Sequence, residues 1–187
     1  FVHWTTAVSF LTLAATGLNT AFGRALLLPL MGEHAFAEWA EFAKMIHNYV
    51  AFAFMAGILM MFVLWVKDNI FAMVDMEWIR SFGGLFSHNH PPSGRFNFGE
   101  KWMFWSIIFL GAAISATGLM LLFPFQWAGI QGMQWAMFAH GVVGVVFFAA
   151  ILAHIYIGSL GMEGAFEAMG SGRVDVNWAK EHHSVWA

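Results

Sequence analysis

Four long apolar stretches, near residues 1–20, 45–66, 102–123 and 135–160, limit what this chain can fold into. A helix needs about 20 mainly apolar residues to cross a hydrocarbon core of roughly 30 Å, and each stretch has that length. Backbone amides in a bilayer must find partners within the chain, and runs this long do so as helices. With 60% hydrophobic and only 10% charged residues, the chain lies outside the range of ordinary water-soluble domains. The expected fold class is an all-α integral membrane protein, a four-transmembrane-helix bundle forming a single membrane domain over residues 1–187.

The connections differ in character. Residues 21–44 mix Gly23, Pro29 and Gly32 with Glu33, Glu38, Glu41, Phe36, Trp39 and Phe42, a pattern that predicts a short helix lying at the membrane surface. Residues 67–101 carry most of the helix breakers, including Gly83-Gly84 and the run from His88 to Gly94. Residues 124–134 form a short link, and residues 161–187 a polar tail. No 20–50-residue repeat emerges. Lys67, Arg80, Arg95, Lys101, Arg173 and Lys180 fall on one side of this arrangement, against Arg24 and Lys44 on the other. Cations concentrate in cytoplasmic loops, so both ends of the segment are expected in the cytoplasm. The chain opens at Phe1 on an apolar run with no recognisable signal peptide, and residues upstream are expected.

Zero cysteines exclude iron–sulfur clusters, disulfides and thioether-attached haem within the chain. Eight basic against eleven acidic residues leave no basic footprint for nucleic acid.

Four histidines stand inside the apolar stretches: His3, His47, His140 and His154. His140 and His154 share one stretch fourteen residues apart, which on a helix is a rise of roughly 21 Å and a rotation about 40° short of whole turns. One helix face therefore offers an imidazole at two depths. Ionisable side chains in a bilayer are costly and point to function, and imidazole is a common axial ligand of haem iron. Following the helices through the predicted orientation places His3 with His154 near the cytoplasmic face and His47 with His140 near the opposite face. Each depth receives two imidazoles from two helices, the requirement for two bis-histidine b haems with iron as the metal. The alternative is a set of interhelical hydrogen bonds, or interfacial side chains near helix ends, which would account for His3 or His47 taken singly. Gly17, Gly57, Gly111, Gly118, Gly141 and Gly144 would admit a macrocycle or simply let helices pack closely. His34 in the first connection, His88 and His90 before two prolines, and His182 and His183 in the tail read as solvated side chains; a metal at His88 and His90 would need further ligands. Trp4, Trp39, Trp65, Trp102, Trp105 and Trp135 fit interfacial anchoring.

Several motifs follow one another in a telling order: His3-Trp4, Ile46-His47, Phe96-Asn97-Phe98-Gly99-Glu100-Lys101 with Met103-Phe104-Trp105-Ser106, His140, His154-Ile155-Tyr156, and Trp178-Ala179-Lys180-Glu181-His182-His183. In this the whole chain resembles the cytochrome b, or gamma, subunit of membrane-bound formate dehydrogenase. The resemblance implies a four-helix bacterial inner-membrane protein with two b haems, ligated by His47 with His140 and by His3 with His154. It implies that electrons leave formate on a molybdenum- or tungsten-containing catalytic subunit, pass an iron–sulfur subunit, cross by the two haems, and reach menaquinone or ubiquinone. No catalytic residue for formate is then expected in this chain. Asn97, Gly99, Glu100 and His154 are the implied quinone contacts, with the Asn97 side chain on a quinone oxygen. Glu100 departs from relatives that carry glutamine there; a carboxylate could relay protons to quinone or simply favour a helix start. Other readings are the cytochrome b subunit of a nickel–iron hydrogenase or thiosulfate-reductase-type complex, and a haem-free anchor or transporter.

Overall fold

The computed structural model describes residues 1–84, 86 and 91–187; His88 and His90 lie outside the described residues. Among the described residues there is no strand. Helices α1 (Val2–Leu26), α2 (Leu28–Met31) and α3 (Glu33–Trp65) are followed by a 3-10 turn at Val66–Asn69 and by α4 (Met73–Arg80). Then come α5 (Phe98–Leu122), α6 (Ile130–Tyr156) running into a π turn at Ile157–Gly161, α7 (Ala165–Gly170) and α8 (Val176–His182). Among the described residues, three stretches are long and apolar enough to cross a membrane: Glu33–Asn69, Phe98–Leu122 and Ile130–Gly161. Helix α1 has the length but carries five threonines, whose hydroxyls lower its apolarity. All five donate back to the carbonyl four residues earlier, at 2.8–3.1 Å, so their polarity is satisfied within the helix.

One expectation needs correction. Residues 33–44 are not a separate surface helix; they are the first three turns of α3, which runs unbroken for 33 residues. The break falls earlier, at Gly32, whose φ of +78° suits glycine and ends α2. Nothing between Gly32 and Trp65 interrupts helical hydrogen bonding. Such a helix is about 50 Å long, more than the roughly 30 Å hydrocarbon core, and its surplus is the charged end holding Glu33, His34, Glu38, Glu41 and Lys44.

The chain divides into two compact units. The first comprises residues 1–61 and 109–149. Its centre is a cluster in which Phe10 of α1, Phe54 of α3 and Phe147 of α6 meet with ring centroids 4.7–6.1 Å apart, and Phe147 is 1% exposed. Small residues set the helix spacing: a Cβ at Gly57 would overlap Thr6, and one at Gly111 would lie 3.0 Å from the Ile58 side chain. Trp39 Nε1 donates to Asn19 Oδ1 at 3.0 Å, tying the charged end of α3 to α1.

The second unit comprises residues 62–108 and 150–187. Here the Asp75 carboxylate accepts from Ala72 N at 2.7 Å at the start of α4 and from Lys101 Nζ at 2.8 and 3.0 Å. Both side chains of this ion pair are buried, at 5% and 4% exposure. Trp105 Nε1 donates to the Asn69 carbonyl at 2.9 Å. Helix α8 begins at Asp175, whose carboxylate accepts from Asn177 N and Trp178 N. Its end docks on the 93–94 segment: Ser93 Oγ donates to the His182 carbonyl, and Val185 N donates to Ser93 O at 3.0 Å.

Candidate functional site

Two of the four histidines of the apolar stretches come together in the first unit. His47 of α3 and His140 of α6 have ring centroids 6.3 Å apart, with ring planes at 67°. Each ring is held from behind by a threonine on a further helix: His47 Nδ1 lies 2.8 Å from Thr16 Oγ1 of α1, and His140 Nδ1 lies 3.1 Å from Thr117 Oγ1 of α5. A glycine follows each threonine and faces the same ring. A Cβ at Gly17 would sit 3.5 Å from His47 Cε1, and one at Gly118 only 3.2 Å from His140 Cε1.

This spacing fits an iron between the rings. Two metal–imidazole bonds of about 2 Å on one axis, with the ring radius added at each end, put the centroids about 6 Å apart. Directly hydrogen-bonded imidazoles would stand closer. Among the described residues no group of three or more His, Cys, Asp or Glu side chains is arranged to hold a metal ion. An iron at this place would therefore take its remaining ligands from a macrocycle, and the two imidazoles suit the axial positions of haem.

His3 lies in the first turn of α1, edge-on to Trp4 at 5.3 Å. His154 lies in the last turn of α6, in the second unit with Asn97, Gly99 and Glu100. Those three residues open α5. Asn97 Oδ1 accepts from Glu100 N at 3.0 Å while Glu100 Oε2 accepts from Asn97 N at 2.7 Å, a reciprocal cap for the helix start. Asn97 is buried. Because its oxygen is engaged in the cap, its amide NH2 is the group able to donate to a ligand. A Cβ at Gly99 would press on Asn97 Oδ1 at 3.3 Å and on the Trp78 ring at 3.2 Å.

The tail departs from expectation. His183 is 4% exposed, with Nδ1 donating to the Gly94 carbonyl at 2.9 Å. The His182 ring stacks on Trp178 at 4.7 Å, with Nδ1 on the Trp178 carbonyl at 3.1 Å. The docking of α8 on Ser93 buries His183, while His182 is half-buried against Trp178. His34 is exposed, but on the first turn of α3, 3.4 Å from Glu38.

The pattern of the family described as prokaryotic cytochrome b561 matches residues 1–172. The chain belongs to that family. As a prokaryotic cytochrome b561 it is a membrane-bound protein of a b-type cytochrome family. It is similar to the cytochrome b556(Fdn) subunit of nitrate-inducible formate dehydrogenase from Escherichia coli strain K12, with 27% identity over 98% of this chain and 84% of the relative. The cytochrome b556(fdo) subunit of formate dehydrogenase from the same strain is 28% identical over 98% of this chain and 86% of its own length. The formate dehydrogenase cytochrome b556 subunit of Haemophilus influenzae is 24% identical over 98% and 77%.

Within this cytochrome b561 chain, sequence reasoning missed Thr16, Thr117 and the Asp75–Lys101 pair. A signal for the threonines existed: Ala15-Thr16-Gly17-Leu18 on α1 recurs as Ala116-Thr117-Gly118-Leu119 on α5. Four residues are too few to register as a repeat, and only the fold places both copies against histidines.

Proposed function

We propose that this cytochrome b561-family chain is the di-haem membrane subunit of a formate dehydrogenase complex, passing electrons from an iron–sulfur partner subunit to quinone. The observation that carries the reading is the His47–His140 pair at 6.3 Å, in a chain similar over nearly its whole length to formate dehydrogenase cytochrome b subunits. When bound, two b haems supply one-electron carriers for quinone, a two-electron acceptor. His47 and His140 hold the haem on the far side. His3 and His154 hold the cytoplasmic-side haem, a pairing that rests on the resemblance and on counting along helices.

The Asn97 amide, fixed by its cap, donates to a quinone oxygen, and Gly99 keeps the space around that cap clear. His154 and Glu100 complete the proposed quinone site. The quinone is menaquinone or ubiquinone. Four helices, α1 included, cross the bacterial inner membrane as one membrane domain with both ends in the cytoplasm. The molybdenum- or tungsten-containing catalytic subunit binds formate, so this chain supplies no group to formate oxidation itself.

A pyridine haemochrome assay on the purified folded protein tests the reading. The expected result is two b haems per chain. A folded, detergent-stable preparation with none returns the histidines to packing and removes the electron-transfer function.

A further inference from the structure

We propose that Thr16 and Thr117 are positioning residues that fix the tautomer and ring orientation of His47 and His140, leaving Nε2 of each as the nitrogen that binds iron. The proposal rests on the haem reading above.

A threonine hydroxyl has one proton to donate and two lone pairs to accept with. Thr16 Oγ1 lies 2.8 Å from the Thr12 carbonyl and 3.2 Å from the Leu13 carbonyl. Thr117 Oγ1 lies 2.9 Å from the Ala113 carbonyl and 3.1 Å from the Ile114 carbonyl. Each hydroxyl therefore has carbonyls of its own helix to take its proton, and it turns a lone pair to the imidazole. His47 and His140 then act as donors through Nδ1–H. A neutral imidazole carries one N–H, so Nε2 must hold the lone pair that a metal requires. Fixing the tautomer through the distal nitrogen is the general way a protein orients an imidazole ligand and raises its basicity.

The glycines complete the device. Gly118 lets the His140 ring lie close beside Thr117, where a Cβ would stand 3.2 Å from Cε1, and at Gly17 a Cβ would meet the His47 ring at an ordinary contact distance of 3.5 Å. The same tetrapeptide builds the seat twice, on α1 for a histidine of α3 and on α5 for a histidine of α6. Two separate occurrences of one arrangement, on both axial positions of a single site, are difficult to assign to packing alone.

Thr16→Val and Thr117→Val remove the hydroxyl and keep the side-chain shape; Thr16→Ser and Thr117→Ser keep the hydroxyl. All four are compared with wild type in haem content, redox titration of the visible band and low-temperature EPR. The valine variants are expected to move the reduction potential of one haem upward, because an imidazole that no longer donates to oxygen is a poorer electron donor to ferric iron. The EPR signal of that haem should shift, the other haem should keep its potential, and serine should restore both values. Loss of one haem in valine but not in serine variants supports the same conclusion. Unchanged potential and EPR in the valine variants overturn the proposal while the two-haem reading stands. Equal loss in serine and valine variants also overturns it, by making the site one of packing. Wild type without haem removes the proposed function, and this inference with it.

Discussion

At the residue scale, four glycines of the long helices divide between two jobs that sequence could not tell apart. Gly57 and Gly111 bring helices together against Thr6 and Ile58, whereas Gly17 and Gly118 face histidine rings. Gly141 has nothing within 4 Å of its would-be Cβ, although its place beside His140 made it look like part of the site. The difference is one of rotation about a helix axis, which spacing along the chain does not fix without knowing the neighbours. A graded prediction follows from the distances. At 3.2 Å the Gly118→Ala methyl must displace the His140 ring by a few tenths of an ångström, while at 3.5 Å the Gly17→Ala methyl meets His47 in ordinary contact. Gly118→Ala should alter the reduced-minus-oxidised spectrum and EPR of one haem, and Gly17→Ala should leave both near wild type. The reverse order would mean that these rings are not held as the distances say. On the proposed ligation, His140→Ala should abolish or transform one haem and spare the other; two unaltered bis-histidine haems in that variant would refute the His47–His140 pairing.

At the element scale, α5 is held by its first turn. The Asn97–Glu100 cap satisfies two backbone donors at its start, and Lys101 in the next position reaches the buried Asp75 carboxylate of α4. Removing one partner of a buried ion pair leaves the other charge unpaired, at a cost of roughly 3–5 kcal/mol. Lys101→Met should therefore destabilise strongly, and adding Asp75→Asn should recover a large part of the loss in thermal melts followed by circular dichroism. If the double variant is no better than the single, the two groups are not coupled. Glu100 serves this element as a cap in the structure, so Glu100→Gln, which keeps an acceptor oxygen, should preserve the fold and leave quinone-analogue reduction within about twofold. Glu100→Ala should lose about 1 kcal/mol of stability, the usual worth of a capping interaction. A marked slowing of quinone reduction in Glu100→Gln would instead assign the carboxylate to proton transfer. The long apolar stretches of α3, α5 and α6 were legible because their length and apolarity exceed anything a soluble core needs. The run-on of α3 through residues 33–44 was not. Its charged residues resemble a surface segment, and contacts such as Trp39–Asn19 that tie that end to α1 are visible only in the fold.

At the scale of the whole molecule, the remaining step concerns the number of crossings, and parity decides it. The three stretches that are long and apolar enough would by themselves put the two ends of the segment on opposite sides of the membrane. Four crossings put them on the same side. The threonines of α1 argue for inclusion, since every hydroxyl is returned to its own helix and the bilayer requires only that polar groups be satisfied internally. Thr16 of that helix also reaches His47 of α3, a contact within the first unit that places α1 beside a membrane-crossing helix at the level of its imidazole. Reporters that fluoresce only in the cytoplasm, or are active only outside it, fused separately to each end of the segment, should place both ends in the cytoplasm. That is the side favoured by six cations against two. Ends on opposite sides would take α1 out of the bilayer and, with it, His3 as the proposed partner of His154.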